Sequence, residues 1–251
     1  MTISCIIQAR VGSSRLPRKI LSKVTGKEIL LHVIERVLRS SMIDEVIVAT
    51  TTSPNDSFVA DLIHNLNHEK VSVFRGSEDD VLDRYYQAAK IKNSDVIVRI
   101  TSDCPLIDWE LLDRMVKKFA EGNYDYVSNV LTKRTYPRGL DVEVFSFSIL
   151  KKMWGTCREK REREHVTTYV RENPSLFKTF NFEQETDLSN LRWTVDEEDD
   201  LKLIRLIYDA LYLRNPDFKT SDILNLIKER PELATMNIHI EQKKNIQSEA
   251  N

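Results

Sequence analysis

The sequence predicts an α/β fold, a mostly parallel, doubly wound sheet carrying a small α+β lobe, and three observations predict it. Over the first 130 residues, short β-branched runs alternate with amphipathic stretches at the spacing of βαβ units. The run VIVRI is nearly apolar along its length, as suits a parallel strand covered on both faces. With 251 residues, 41% of them hydrophobic and 30% charged, the chain can bury a large core without disulfides or a structural metal, which excludes disorder for most of its length.

Taken in order, the strands are expected at 3–8, 45–50, 71–74, 95–100 and 125–130. Between them, Leu30, Val33, Ile34, Val37 and Leu38 recur at the helical spacing over 29–40, and Val59, Leu62, Ile63 and Leu66 do so over 58–66. Val81, Leu82, Tyr85 and Ala89 mark a helix over 79–92, and Leu111, Leu112, Met115, Val116 and Phe119 another over 109–121. Later the pattern loosens. It gives a strand at 142–147, a short helix at 148–155, a polar helix at 162–172 carrying His165, and strands at 177–182 and 191–195. The helix at 197–213 opens on four acidic residues, which suit the positive end of its dipole, and a helix at 220–228 closes the fold. Residues 1–235 read as one domain, its lobe around 133–190, and the sparsely apolar 236–251 as a disordered tail.

The charge balance, 37 Lys and Arg against 39 Asp and Glu, is too even for a protein that coats nucleic acid, so any cationic site is local. Cys5, Cys104 and Cys157 stand far apart without a CxxC or Cys/His cluster, which speaks for a reducing compartment and against zinc. No stretch approaches 18 apolar residues and the opening ISCIIQ lacks an export segment, so a cytoplasmic protein without a membrane partner is expected.

Chemistry first shows in IIQARVGSSRLPRKIL, where Arg10, Arg15, Arg18 and Lys19 follow the first strand, at the edge where open α/β sheets bind ligands. Gly12 lets a tight turn form, and the amides and hydroxyls of Ser13 and Ser14 can donate to phosphate oxygens. The loop lacks GxGxxG and GxxxxGK[ST], so neither a dinucleotide fold nor a P-loop is indicated. A charge run is commonly only a solvated face; its place after the first strand favours a phosphate site. Asp103, in the loop TSDCPLID, is placed to hold a metal, or to cap a turn, although Asp108 better fills the capping position. Asp196 in LRWTVDEEDDL likewise precedes a helix and either joins a metal site or caps that helix. Asp141 and Glu143 fall on one face of a strand, where they orient acceptor hydroxyls, support the metal or face solvent on an edge strand; Arg138 and Gly139 lie nearby. His165 is a base near neutrality or an ordinary polar residue, and Trp193 reads as packing.

Gln8-Ala9-Arg10, Ser13 or Ser14, Arg15-Leu16-Pro17 and Lys19 together resemble the signature of the CMP-sugar synthetases, more closely their spore-coat polysaccharide biosynthesis branch. The resemblance continues through ATTTSPND, FRGSEDDVLDRYYQAA, VRITSDCPLID, PRGLDVEVFS, EREHVTTYVREN and LRWTVDEEDDL. It implies a three-layer α/β/α nucleotidyltransferase-like fold, transfer of CMP from CTP to an acidic sugar of nonulosonic or octulosonic type, pyrophosphate release, Mg²⁺ and a homodimer. By the same resemblance Arg10, Arg15 and Lys19 are catalytic, Ala9, Gly12, Ser13, Ser14, Arg75, Gly76 and Ser77 bind nucleotide, Asp103 and Asp196 hold Mg²⁺, and Arg138, Asp141 and Glu143 meet the acceptor. Asp80 and Arg84 extend the nucleotide-proximal stretch. The chain departs from the better-defined synthetases at Gln8, where they carry Pro. Cytosine preference comes from the resemblance alone; a glycosyltransferase using a sugar nucleotide and a noncatalytic nucleotide-sugar binder are the competing readings.

Overall fold

In the computed structural model, which describes residues 1–13 and 15–241, successive side chains of β1 (Ile3–Gln8) face opposite sides of a sheet and both sides are apolar. Cys5 and Ile7 enter one core, Ile6 the other. After a small ribbon of β2 (Lys23–Val24) and β3 (Lys27–Glu28), β4 (Glu45–Thr51), β5 (Val71–Gly76), β6 (Val96–Thr101), β7 (Tyr126–Ser128), β8 (Glu143–Ser146) and β9 (Thr179–Asn181) join β1 in a seven-stranded sheet of order β5-β4-β1-β6-β8-β7-β9. All neighbours are parallel except β8, which runs against β6 and β7.

Helices α1 (Ile29–Leu38), α2 (Ser57–Leu66), α4 (Trp109–Gly122), α8 (Glu198–Leu211) and α9 (Thr220–Glu229) pack on the Cys5 face, through residues such as Val33, Val59, Leu112, Ile204 and Ile223. α3 (Val81–Ile91), α5 (Phe147–Thr156), α6 (Lys160–His165) and α7 (Thr168–Glu172) cover the other, where Tyr85, Leu150, Val166 and Val170 are buried. The fold is therefore the expected three-layer α/β/α sheet. The α+β stretch at 133–190 adds β8 and β9 to that same sheet rather than building one of its own.

Several expected details differ, each for a physical reason. Residues 191–195 form no strand: they make a single bridge, Arg192 with Arg138, and their amides serve two loops, Trp193 N donating to Arg138 O and Val195 N to Asp103 O. The polar helix over 162–172 breaks after His165, where Val166 takes φ 58°. Val142, Val144 and Phe145 are fully buried around an internal strand, so their apolar side chains pack within the chain. Within the tail expected from 236, Asn237 is buried and donates to Arg192 O and Asp200 Oδ1, and Ile240 is also buried, so this stretch packs on the fold; residues 242–251 of that expected tail lie outside the described residues.

Gly139 is a position where backbone freedom is required. Its φ is +101°, and a Cβ there would stand 2.5 Å from the Trp193 carbonyl carbon. Gly139→Ala is expected to cost on the order of 3 kcal/mol of stability, from strain and a backbone clash that no rotamer relieves. Urea unfolding checks it, with a loss under about 1 kcal/mol contradicting the packing described.

Candidate active site

The carboxyl ends of β1 and β6 open into a cleft of about 410 Å³, at the sheet edge where the basic loop emerges. One wall is that loop, with Gln8, Ala9, Arg10, Gly12, Ser13, Arg15 and Lys19. A second comprises Glu78, Asp79, Val81 and Arg84, the floor Thr101, Ser102 and Asp103, and the far wall Lys160, Glu164 and His165 from α6. Buried Asp56 shapes the loop: its carboxylate accepts from Val11 N at 2.6 Å and from the Thr51 hydroxyl, tying the loop to the end of β4. Arg18 N closes the loop on Val11 O at 3.2 Å.

Lys19 is the centre of the charge arrangement. Its Nζ lies 2.6 Å from Asp103 Oδ2 and 2.8 Å from Asp196 Oδ1, so one ammonium gathers two carboxylates 93 positions apart. The loops themselves are stitched by Val195 N to Asp103 O at 2.8 Å and Thr194 Oγ1 to Asp103 O at 3.2 Å. Arg15 adds contacts to Asp196 at 3.0 Å and Glu197 at 3.3 Å. Behind them Arg192 bridges Asp196 at 2.7 Å and Asp200 at 2.9 Å. Asp196 does not cap α8; Glu197 holds the cap position, and Asp200 Oδ2 accepts from the amides of Asp196 and Glu197. Asp108, as expected, caps α4.

Burial lowers the Lys19 pKa, but Asp103 and Asp196 outweigh it and leave the ammonium above its ordinary 10.5. Burial raises Asp196, and Lys19, Arg15 and Arg192 together hold it below 3.8. The contribution of Asp196 to stability is therefore complete above its unfolded pKa and lost as pH falls through the depressed folded value; that of Lys19 is complete below 10.5 and lost as pH rises past the raised one. The melting-temperature difference between wild type and Asp196→Asn should stay constant through neutral pH and shrink below about pH 4. A difference that persists undiminished into acid would show that the carboxylate charge is not what the cluster uses.

The remaining expected residues divide. Arg10 is exposed, lines the cleft and makes no ion pair among the described residues. Ala9 lines it too, although its amide is already given to Ala49 O. Gly12 has open space around it and no positive φ, so the tight-turn reason for a glycine does not hold there. Ser13 Oγ accepts from Leu16 N at 3.4 Å; Ser14 lies outside the described residues.

Arg75, Gly76 and Ser77 stand one step behind the cleft. Arg75 donates to Thr51 O and Ser53 O, and Ser77 accepts from Asp80 N and, through its carbonyl, from Arg84. The wall itself is carried by residues 78–84, and Arg84, 2% exposed with Nε unpartnered, is its cation. The acceptor residues Arg138, Asp141 and Glu143 are not among those lining the cleft. Arg138 is held by backbone pairing to Leu191 and Trp193. Asp141 lies before β8 and forms a two-pronged pair with Arg134. Glu143 is buried, where burial raises its carboxyl pKa but Arg99, Thr167 and Tyr126 more than offset this and hold it below its ordinary value.

Two carboxylates gathered at one point, one facing the cleft, are a donor set that suits Mg²⁺, which commonly takes one or two protein carboxylates and fills its shell with phosphate oxygens and water. Among the described residues no group of three or more His, Cys, Asp or Glu forms a full protein cage, and no helix is long and apolar enough to cross a membrane.

The basic loop and the strand-end acids thus lie at the carboxyl edge of an α/β/α sheet, where such sheets bind ligands. The cytidylyltransferase family model matches residues 4–218, and the chain belongs to that family. It is 42% identical over 245 residues to an uncharacterized protein of Methanocaldococcus jannaschii, covering 97% of each chain. It is 32% identical over 239 residues to the spore coat polysaccharide biosynthesis protein SpsF of Bacillus subtilis, covering 92% of this chain and 95% of that one. A 3-deoxy-manno-octulosonate cytidylyltransferase of Trichlorobacter lovleyi is 35% identical over 119 residues, 47% of this chain and 45% of its own. A solved cytidylyltransferase from Leptospira borgpetersenii superposes with a TM-score of 0.89 at 37% identity, over 96% of this chain and all of that one.

Proposed function

We propose that this cytidylyltransferase moves CMP from CTP to an acidic sugar of nonulosonic or octulosonic type, releasing pyrophosphate, in polysaccharide or glycan biosynthesis. The observation that carries the reading is the pairing of Arg15 and Lys19 with Asp103 and Asp196 beside a cleft that Arg10 also lines. The names of the Bacillus and Trichlorobacter relatives support the pathway and the acid class.

In the reaction an acceptor hydroxyl oxygen attacks the α-phosphorus, a new P–O bond forms, the bond to the β-phosphate oxygen breaks, and the hydroxyl proton is lost to solvent or a nearby base. Negative charge grows on the nonbridging and leaving oxygens. Arg10, which pairs with no carboxylate among the described residues, would bind phosphate directly, while Arg15 and Lys19 supply a preorganised positive field whose arrangement is already fixed before substrate arrives. Mg²⁺, when held by Asp103 and Asp196, would supply charge neutralisation at the triphosphate.

The test is pyrophosphate release from each of the four ribonucleoside triphosphates with Mg²⁺, against acidic sugars and neutral sugar phosphates, with product masses read in parallel. Release only with CTP and an acidic sugar, with a CMP adduct, is the expected result. Adducts formed only with neutral sugar phosphates, or turnover of a supplied sugar nucleotide without pyrophosphate, would overturn it.

A further inference from the structure

Glu143 does not reach the cleft, yet it touches what holds two cleft side chains in place. It is 3% exposed and accepts from Arg99, the Tyr126 hydroxyl and, at 2.6 Å, Thr167 Oγ1. Arg99 Nη2 donates onward to Gln8 Oε1 at 3.0 Å. A guanidinium carries donors only, so the amide oxygen of Gln8 is the end tied back and its NH₂ is left for the cleft that Gln8 lines.

Thr167 leads the other way. Its amide donates to His165 O at 2.6 Å across Val166, whose φ of 58° and ψ of −61° make a γ-turn of the rare positive-φ kind. A β-branched residue seldom takes such a conformation, and strain of this sort persists where the surroundings over-determine it. Here the complete burial of Val166 and the Thr167–Glu143 bond do so. The turn ends α6 with His165 against the cleft, beside Glu164 and Lys160.

We propose that Glu143 is a positioning residue that holds Gln8, from the sheet, and His165, from α6, as the pair that grips the acceptor. The proposal rests on the preceding reading for the identity of that ligand, not for the coupling itself. The cleft's composition divides accordingly. Its loop is cationic and suits a triphosphate, whereas the amide of Gln8, the imidazole of His165, Lys160 and Glu164 form a mixed donor and acceptor set that suits a ligand with one carboxylate and several hydroxyls.

Replacing Glu143 itself would strand buried Arg99, so the test uses Thr167→Val, nearly isosteric and without the hydroxyl, beside Thr167→Ser, which keeps it. In hydrogen exchange of the ligand-free protein, Thr167→Val should speed exchange across 165–172 by about tenfold with β1 and β6 unchanged, and Thr167→Ser should restore protection. Unchanged exchange overturns the coupling, whatever the substrate is. In steady-state assays with CTP and the acidic sugar that turns over, Thr167→Val and the cleft-surface variant Gln8→Ala should each raise the acceptor KM about tenfold while the CTP KM stays within about twofold. A rise confined to the CTP KM, or a lower melting temperature with both KM values unchanged, overturns the gripping role. Wild-type protein that turns over no acidic sugar refutes the substrate assignment instead, and the exchange measurement then decides the role of Glu143.

Discussion

Lys19→Met is expected to lower kcat by about 10²–10³-fold, the loss typical of removing one preorganised charge from a transition state that accumulates negative oxygen. The size follows from where the ammonium stands: it is 13% exposed and contacts both Asp103 and Asp196, so its removal takes away a positive charge and sets two carboxylates against each other. Arginine should not rescue it. A planar fork cannot occupy the point between two acids that a compact ammonium fills at 2.6 and 2.8 Å. Steady-state pyrophosphate release measures the effect, and a fall of less than about tenfold would remove Lys19 from the chemistry.

The second large effect concerns stability. Asp200 is fully buried and accepts from Arg192 at 2.9 Å, Asn237 at 2.8 Å and the amides of Asp196 and Glu197 at 2.9 and 3.1 Å. Asp200→Ala leaves those buried donors without their acceptor and Arg192 with one carboxylate fewer, so a cost of about 3–5 kcal/mol is expected. Activity should fall as well, because the same carboxylate fixes the backbone of Asp196. Chemical denaturation reads the first effect and turnover of the surviving folded fraction the second; a loss under about 1 kcal/mol would mean that the cluster is not what anchors the acid.

How much of this the sequence carried depends on how local each feature is. Leu30, Val33, Ile34, Val37 and Leu38 announce α1 because a helix writes its buried face at a fixed spacing, and β1 is read correctly to its last residue because both its faces are apolar. Residues 191–195 look like a strand for the same reason, since Leu191, Trp193 and Val195 are buried, but burial against loops leaves the same alternation as burial in a sheet. In the site, the loop cations and Asp103 were legible from position. That Lys19 meets Asp103 and Asp196, 84 and 177 residues away, was not, because only the folded sheet brings them together. Glu143 shows the limit most clearly. Alternation places it on one face of β8, but only Arg99 on β6, Tyr126 on β7 and Thr167 beyond α6 make that position a buried junction. Arg75 is singled out by the resemblance alone, and what the sequence could not show is that its guanidinium donates to the carbonyls of Thr51 and Ser53.

The most direct measurement follows the phosphorus atoms of CTP. With the acidic sugar that turns over, CTP labelled at the α-phosphate should deliver its label to the sugar adduct, and CTP labelled at the γ-phosphate should deliver all of it to pyrophosphate. Label from the γ-phosphate appearing in the sugar, or release of that label as inorganic phosphate without an adduct, would contradict attack at the α-phosphorus and with it the assignment of this cleft to CMP transfer.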